Sequence, residues 1–146
     1  ISAPYIKFSV SYPTNGWVGM MIIPLDQKNI IDGAQPLISD IDFYGGLKDD
    51  KSKETVVTDG YFTNKSLESD IDKGGKNSIL TKDSFEIFGT NKVTVLDFSR
   101  LLDTGDKNDV KLEKGEAYRI ILMASEDLET NLYSNPFKST ELVIKL

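Results

Sequence analysis

No stretch of this chain sustains a helical period for more than a turn or two. Its apolar residues fall instead into short runs, each closed by Gly, Pro, Asn or Asp. Runs of strand length bounded by turn residues at regular spacing specify sheets packed on one another rather than helices. The expected fold class is therefore all-β, an antiparallel β-sandwich of immunoglobulin-like overall architecture. With 146 residues, no linker and no repeat of fixed period, the chain reads as a single domain over residues 1–146, large enough to bury a core.

The most informative segment runs from Lys92 to Asp109. Val93 and Val95 alternate with Thr94, and Phe98 and Leu101 are set among Asp97, Ser99 and Arg100, the period of a half-buried strand. Thr104-Gly105-Asp106 then turns the chain, Gly by tolerating positive φ and Asp by bonding its own backbone. After a second turn at Lys114-Gly115-Glu116 the run Ala117 to Ala124 reads as the returning strand.

The remaining strands follow by the same rules. Pro4 to Ser11 alternates, and Gly16 to Ile23 is apolar throughout, as in a strand buried on both faces. The Pro13-Thr14-Asn15-Gly16 turn between them predicts that these two pair as a hairpin. Asp26 to Gln35 reads as a loop and Pro36 to Tyr44 as a strand ended by Gly45-Gly46, with Asp40 and Asp42 spacing its apolar residues. Leu47 to Glu54 reads as a loop, Thr55 to Phe62 as a strand, and Thr63 to Thr81 as a long polar loop, the kind that tends to carry function. Phe85 to Phe88 and Lys92 to Ser99 form a predicted hairpin, and Thr140 to Lys145 is the last strand.

Composition excludes several chemistries. The chain has no histidine and no cysteine, which removes the commonest general base, the Ser-His-Asp triad, disulfides and the usual zinc ligands. A net charge of −6 opposes a nucleic-acid partner, whose phosphates require clustered cations. No apolar run approaches the roughly 20 residues of a membrane helix, so no span is expected within these residues. Ile1 is not a translation start, so the chain is expected to be a processed or excised piece, which leaves room for a leader upstream or an anchor downstream to have been removed.

Several residues are candidates for a site. Met20 and Met21 are adjacent in a strand and point to opposite faces, so one faces any pocket the sheet forms; both otherwise fill the core. Trp17 has a flat face that stacks on a sugar, and its apolar flanks favour a structural, core position. Tyr5, Tyr44, Tyr61 and Tyr133 are the candidate exposed aromatics. Asp70, Asp72 and Asn77 around Gly74-Gly75 offer oxygen ligands for calcium, without the spacing of an EF-hand loop. Asp103, Asp106 and Asp109 form a second oxygen-rich cluster, read as turn chemistry with an ion pair to Arg100. No carboxylate pair stands out as catalytic, and no enzyme activity is expected. Asn64-Lys65-Ser66 matches the N-glycosylation acceptor pattern, placing a candidate glycan on Asn64.

Four stretches, in order, resemble the DOMON domain superfamily. They are Gly16-Trp17-Val18-Gly19; Asp59-Gly60-Tyr61 with Asp70 and Gly74-Gly75-Lys76-Asn77; Phe98 to Asp106 with Asp109; and Ile120 to Ala124. The resemblance implies an extracytoplasmic β-sandwich, secreted, periplasmic or at the cell surface, that binds haem b for electron transfer or binds sugars. Haem-binding members carry a Met-x-Gly-small motif where this chain has Ile31-Asp32-Gly33-Ala34, and a histidine near the last strand, where it has Tyr133 to Lys138. The resemblance thus implies a haem pocket that has lost its usual ligands. The expected function is a non-catalytic binding or assembly module that meets neighbouring domains or subunits through loops and edge strands. The alternatives are a haem b electron-transfer domain of the ethylbenzene dehydrogenase type, ligated by Met20 or Met21 and Lys138, and a sugar-binding module.

Overall fold

The computed structural model describes residues 3–14, 16–25, 39–48, 55–63, 66–83, 93–126 and 138–146. Within them lie nine strands and one short 3-10 turn, Ile71–Lys73. The strands are β1 (Tyr5–Tyr12), β2 (Val18–Pro24), β3 (Ser39–Lys48), β4 (Thr55–Thr63), β5 (Ser66–Ser69), β6 (Ile79–Asp83), β7 (Thr94–Leu101), β8 (Ala117–Ala124) and β9 (Lys138–Lys145). They form two antiparallel sheets, β1-β7-β6 and β5-β4-β3-β2-β8-β9, so the fold is an all-β sandwich.

The small sheet covers the middle of the large one. Ile6, Phe8, Val10 and Tyr12 from β1 and Leu96 and Phe98 from β7 meet Val18, Met20 and Ile22 of β2, Tyr44 of β3, and Tyr118 and Ile120 of β8. A column of rings crosses this core: Phe98 stacks on Phe8 at 5.3 Å and on Tyr44 at 4.5 Å between centroids. Such pairs add about 0.5–1.5 kcal/mol each beyond the area they bury. On the other face of the large sheet Trp17, Met21, Ile23, Ile41, Phe43, Ile121 and Met123 form a second buried cluster.

Four expectations are corrected. β1 and β2 do not form a hairpin. β1 pairs with β7, whereas β2 lies between β3 and β8. The reason lies in their patterns: a run apolar on both faces needs a central position, and an alternating run suits a sheet with one face in the core. The glycines at 45 and 46 do not end β3. The Phe43 ring lies over Gly45 and its cross-strand partner Gly19, and a Cβ on either would come within 2.6 Å of the ring. Residues 63–81 are not one loop, because they contain β5, the 3-10 turn and the start of β6, and β6 is the hairpin neighbour of β7. Finally, β7 presents Thr94, Leu96, Phe98 and Arg100 inward, leaving Val93 and Val95 half-buried on the other side. The proposed strand at 85–88 and the loop at 26–35 lie outside the described residues.

β7 and β8 belong to different sheets, so the segment from Leu102 to Glu116 crosses from one sheet to the other. It is fastened at its start by Leu102 N–H donating to Pro4 O at 3.0 Å and Leu112 N–H donating to Leu102 O at 2.8 Å. The crossover closes over the β3-β4 side of the large sheet, and the acidic site forms beneath it.

Candidate metal centre

Strand register gathers the acids. Across the large sheet Leu122, Met20, Tyr44 and Asp59 are successive cross-strand partners, and Asp70 N–H donates to Asp59 O at 3.2 Å to extend the row. Direct partners in a sheet share a face. Met20 and Tyr44 face the core between the sheets, so Asp59 does too, and Asp42, two residues from Tyr44, lies on that same face.

Asp42 and Arg100 are both fully buried. Arg100 Nη1 donates to Asp42 Oδ2 at 2.7 Å and to Tyr44 Oη at 2.8 Å, Nη2 to Val110 O at 2.6 Å, and Nε to Leu101 O at 3.0 Å. The guanidinium carbon stands 5.6 Å from the centre of the Tyr44 ring. Asp42 Oδ2 also accepts from Val110 N–H at 3.0 Å. An arginine fork is suited to this, since its donors are fixed in one plane.

The two oxygen-rich clusters of the sequence meet here. Residues 70–78 turn tightly: Gly75 N–H donates to Asp70 O at 2.7 Å, and Gly74 adopts a φ of +77°. This turn sits against the crossover, with Lys76 N–H donating to Asp106 Oδ2 and Ser78 N–H donating to Asp59 Oδ2 at 2.5 Å. Asp106 also accepts from Asn108 N–H at 2.9 Å. One carboxyl oxygen from each of Asp42, Asp59 and Asp109 lies within 4.8 Å of the other two, and Asp70, beside Asp59 in the cross-strand row, feels the charges of Asp59 and Asp109.

Burial dominates the electrostatics. It pushes Asp42 up to about 8, opposed by Arg100 and reinforced by Asp109. It pushes Asp70 up to about 8, with the charges of Asp59 and Asp109 adding to the effect. Asp59 rises to about 7 from the same cause, although the bond from Ser78 N–H works the other way. Burial also holds the Tyr44 phenol well above its ordinary value. Asp59 and Asp70, buried and crowded by other carboxyls, thus either hold protons near neutral pH or require a cation.

The sequence candidates divide. Asp70 and Asp109 belong to the site and Arg100 anchors it. Asp72 is exposed, and Asn77 Oδ1 accepts from Ile79 N–H at 3.0 Å within the turn. Asp103 and Asp106 serve turns, Asp103 Oδ1 accepting from Gly105 N–H at 3.0 Å, and neither pairs with Arg100. The arginine's ion-pair partner is Asp42, 58 residues away, and Asp42 and Asp59 were not among the candidates. A charge on the inward face of β7, beside Phe98, was the available signal, because a buried cation requires a buried anion.

The other candidates lie elsewhere. Met20 and Met21 are buried on opposite faces of the large sheet, and Trp17 packs edge-on against Phe43 in the second cluster. Lys138 is exposed on β9, opposite Ala124. Tyr44, expected to be exposed, is fully buried; its hydroxyl is committed to Arg100. Tyr5 is exposed and Tyr61 lies in β4, whereas Asn64 and Tyr133 fall outside the described residues, as does the stretch at 31–34.

Among the described residues no helix is long and apolar enough to cross a membrane. Compared with family models, curated proteins and solved structures, the chain matches none.

Proposed function

We propose that this chain is an extracytoplasmic, non-catalytic DOMON-like module that binds or assembles with a neighbouring protein domain by strand addition along β9. The observation that carries this reading is the exposure of β9. Seven of its eight residues are exposed and the eighth, Ile144, is half-buried; Leu142 and Val143 are open to solvent at 39% and 57%. Among the described residues β9 has a neighbour on one side only, β8, so its outer backbone donors and acceptors await a partner. β9 also borders a groove of about 330 Å³ lined by Val10, Tyr12, Val18, Leu122 and Lys138. Side chains of an added strand would enter it.

Extracytoplasmic placement and the DOMON-like assignment rest on the four resembling stretches. The non-catalytic reading rests on the employment of the chemically capable groups in packing and pairing, Met20 and Met21 in two cores and Arg100 on Asp42. The test is a photo-crosslinking residue at position 143 in the native host, with position 107, an exposed residue of the crossover, as control. A discrete adduct from 143 and none from 107 is expected. Equal labelling from both positions, or a reduced-minus-oxidised haem spectrum from the purified chain, would overturn the reading.

A further inference from the structure

We infer that Asp42, Asp59, Asp70 and Asp109 bind one calcium ion beneath the crossover. Acidic residues near one another are common without any ion, so what matters is which oxygens the protein itself has used. Asp42 Oδ2 is committed to Arg100 and Val110, and Asp59 Oδ2 to Ser78. The oxygens left over are Asp42 Oδ1, Asp59 Oδ1 and both oxygens of Asp70 and of Asp109, all sealed from solvent and without a donor. Asp70 is the strongest pointer: its side chain is fully buried, neither oxygen accepts a hydrogen bond, and the charged groups that act on it, Asp59 and Asp109, are acceptors as well. Two ionised carboxylates cannot bond each other, and each such group left unsatisfied is costly.

Protons cannot account for all of these oxygens. A proton shared between two carboxyls serves one oxygen on each, so protons on Asp59 and Asp70 serve at most four of the six. A cation serves all of them at once. Six oxygens match the lower end of the six to eight that calcium takes. The spacing of three of them agrees as well: ligands about 2.3–2.6 Å from an ion lie at most about 5 Å apart across it, and the 4.8 Å limit met by one oxygen each of Asp42, Asp59 and Asp109 falls inside that sphere, with Asp70, outside that trio, closing on the ion to complete the shell. The donors are all hard oxygens with no nitrogen or sulfur, which selects against zinc and copper. The pairs of free oxygens on Asp70 and Asp109 favour bidentate grips, which suit calcium's flexible geometry better than magnesium's octahedron. Arg100 stays outside the ion's shell, neutralising one carboxylate and holding Asp42 so that Oδ1 is free.

The experiment is calorimetric titration of the whole chain, freed of metal by chelator and dialysis, with calcium chloride, alongside thermal unfolding in calcium and in chelator. One saturable site is expected. With free calcium about 100-fold above the dissociation constant, the folded state gains about 100-fold in its equilibrium with the unfolded chain. Asp70→Asn is expected to lose at least about tenfold in calcium affinity while melting higher than the parent in chelator, because the amide is neutral in the buried site without having to take up a proton. Asp72→Asn, on the exposed side of the turn, is expected to match the parent in both. The inference is overturned if the folded parent gives no heat and no shift, if Asp70→Asn binds calcium undiminished, or if magnesium binds as tightly as calcium. If Asp70→Asn does not fold, the parent titration still decides, and Asp109→Asn takes its place with the same expectations.

Discussion

Arg100 and Asp42 grip the same peptide segment from two strands: Arg100 Nη2 donates to Val110 O at 2.6 Å, Asp42 Oδ2 accepts from Val110 N–H at 3.0 Å, and the two side chains bond each other at 2.7 Å. One arm comes from the small sheet and the other from the large, so the pair fastens the crossover to both halves of the sandwich.

Removing one member strands the other charge in the core. Arg100→Met is expected to lower unfolding free energy by about 3–5 kcal/mol in urea titrations. Arg100→Lys is expected to recover little of it, since a single ammonium cannot reach Asp42, Leu101 and Val110 together. Adding Asp42→Leu to Arg100→Met is expected to restore part of the loss by removing the orphaned anion.

The raised carboxyls reverse the usual acid sensitivity. Asp59 and Asp70 keep protons in the folded chain up to about 7 and 8, whereas an unfolded aspartate loses its proton near 3.8. Between these values the folded state holds more protons, so its stability falls as pH rises. In chelator the urea midpoint is therefore expected to decline from about pH 5 to about pH 8. A midpoint that rises over this interval would contradict the arrangement.

Phe43 needs two glycines beneath its ring. Gly19→Ala and Gly45→Ala each place a methyl within 2.6 Å of that ring. Each is expected to cost about 1–3 kcal/mol by overpacking. Combining Gly45→Ala with Phe43→Leu is expected to be less than additive, which a double-mutant cycle measures directly.

Gly60 connects packing to the acidic site. A Cβ there would lie 2.4 Å from Glu68 O, a backbone atom of β5, and Asp70 follows that strand directly. Gly60→Ala is expected to prise β5 from β4 and weaken calcium binding more than Asp72→Asn does, as read by titration of both variants.

Long apolar runs were the legible part of this chain. β2 and β8 stand out because a central strand is apolar on both faces, and β8 runs from Ala117 to Ala124 as its pattern implies. Pairing was less legible, since a short turn favours a hairpin locally and cannot show that Tyr5–Tyr12 finds a better neighbour in Thr94–Leu101. Alternation also concealed Asp42, because a charge between apolar residues is ordinarily on the solvent face. Here Ile41 and Phe43 enter one core while Asp42 and Tyr44 enter the other. Asp70 and Asp109 were visible as parts of two separate clusters, but their meeting depends on β5 and the crossover lying side by side, which no local pattern encodes.

The row that passes from Leu122 through Met20, Tyr44 and Asp59 to Asp70 gives the large sheet a check on its own assembly. A slip of one residue between β3 and β4 would exchange Asp59 for Thr58 or Gly60 beside Tyr44 and turn its carboxyl to the opposite side. The misaligned sheet would keep most of its backbone bonds yet forfeit the meeting of four aspartates drawn from remote points of the chain. An ion that rewards only the complete quartet would act as a proofreader of strand alignment, rejecting arrangements that hydrophobic contact alone would tolerate.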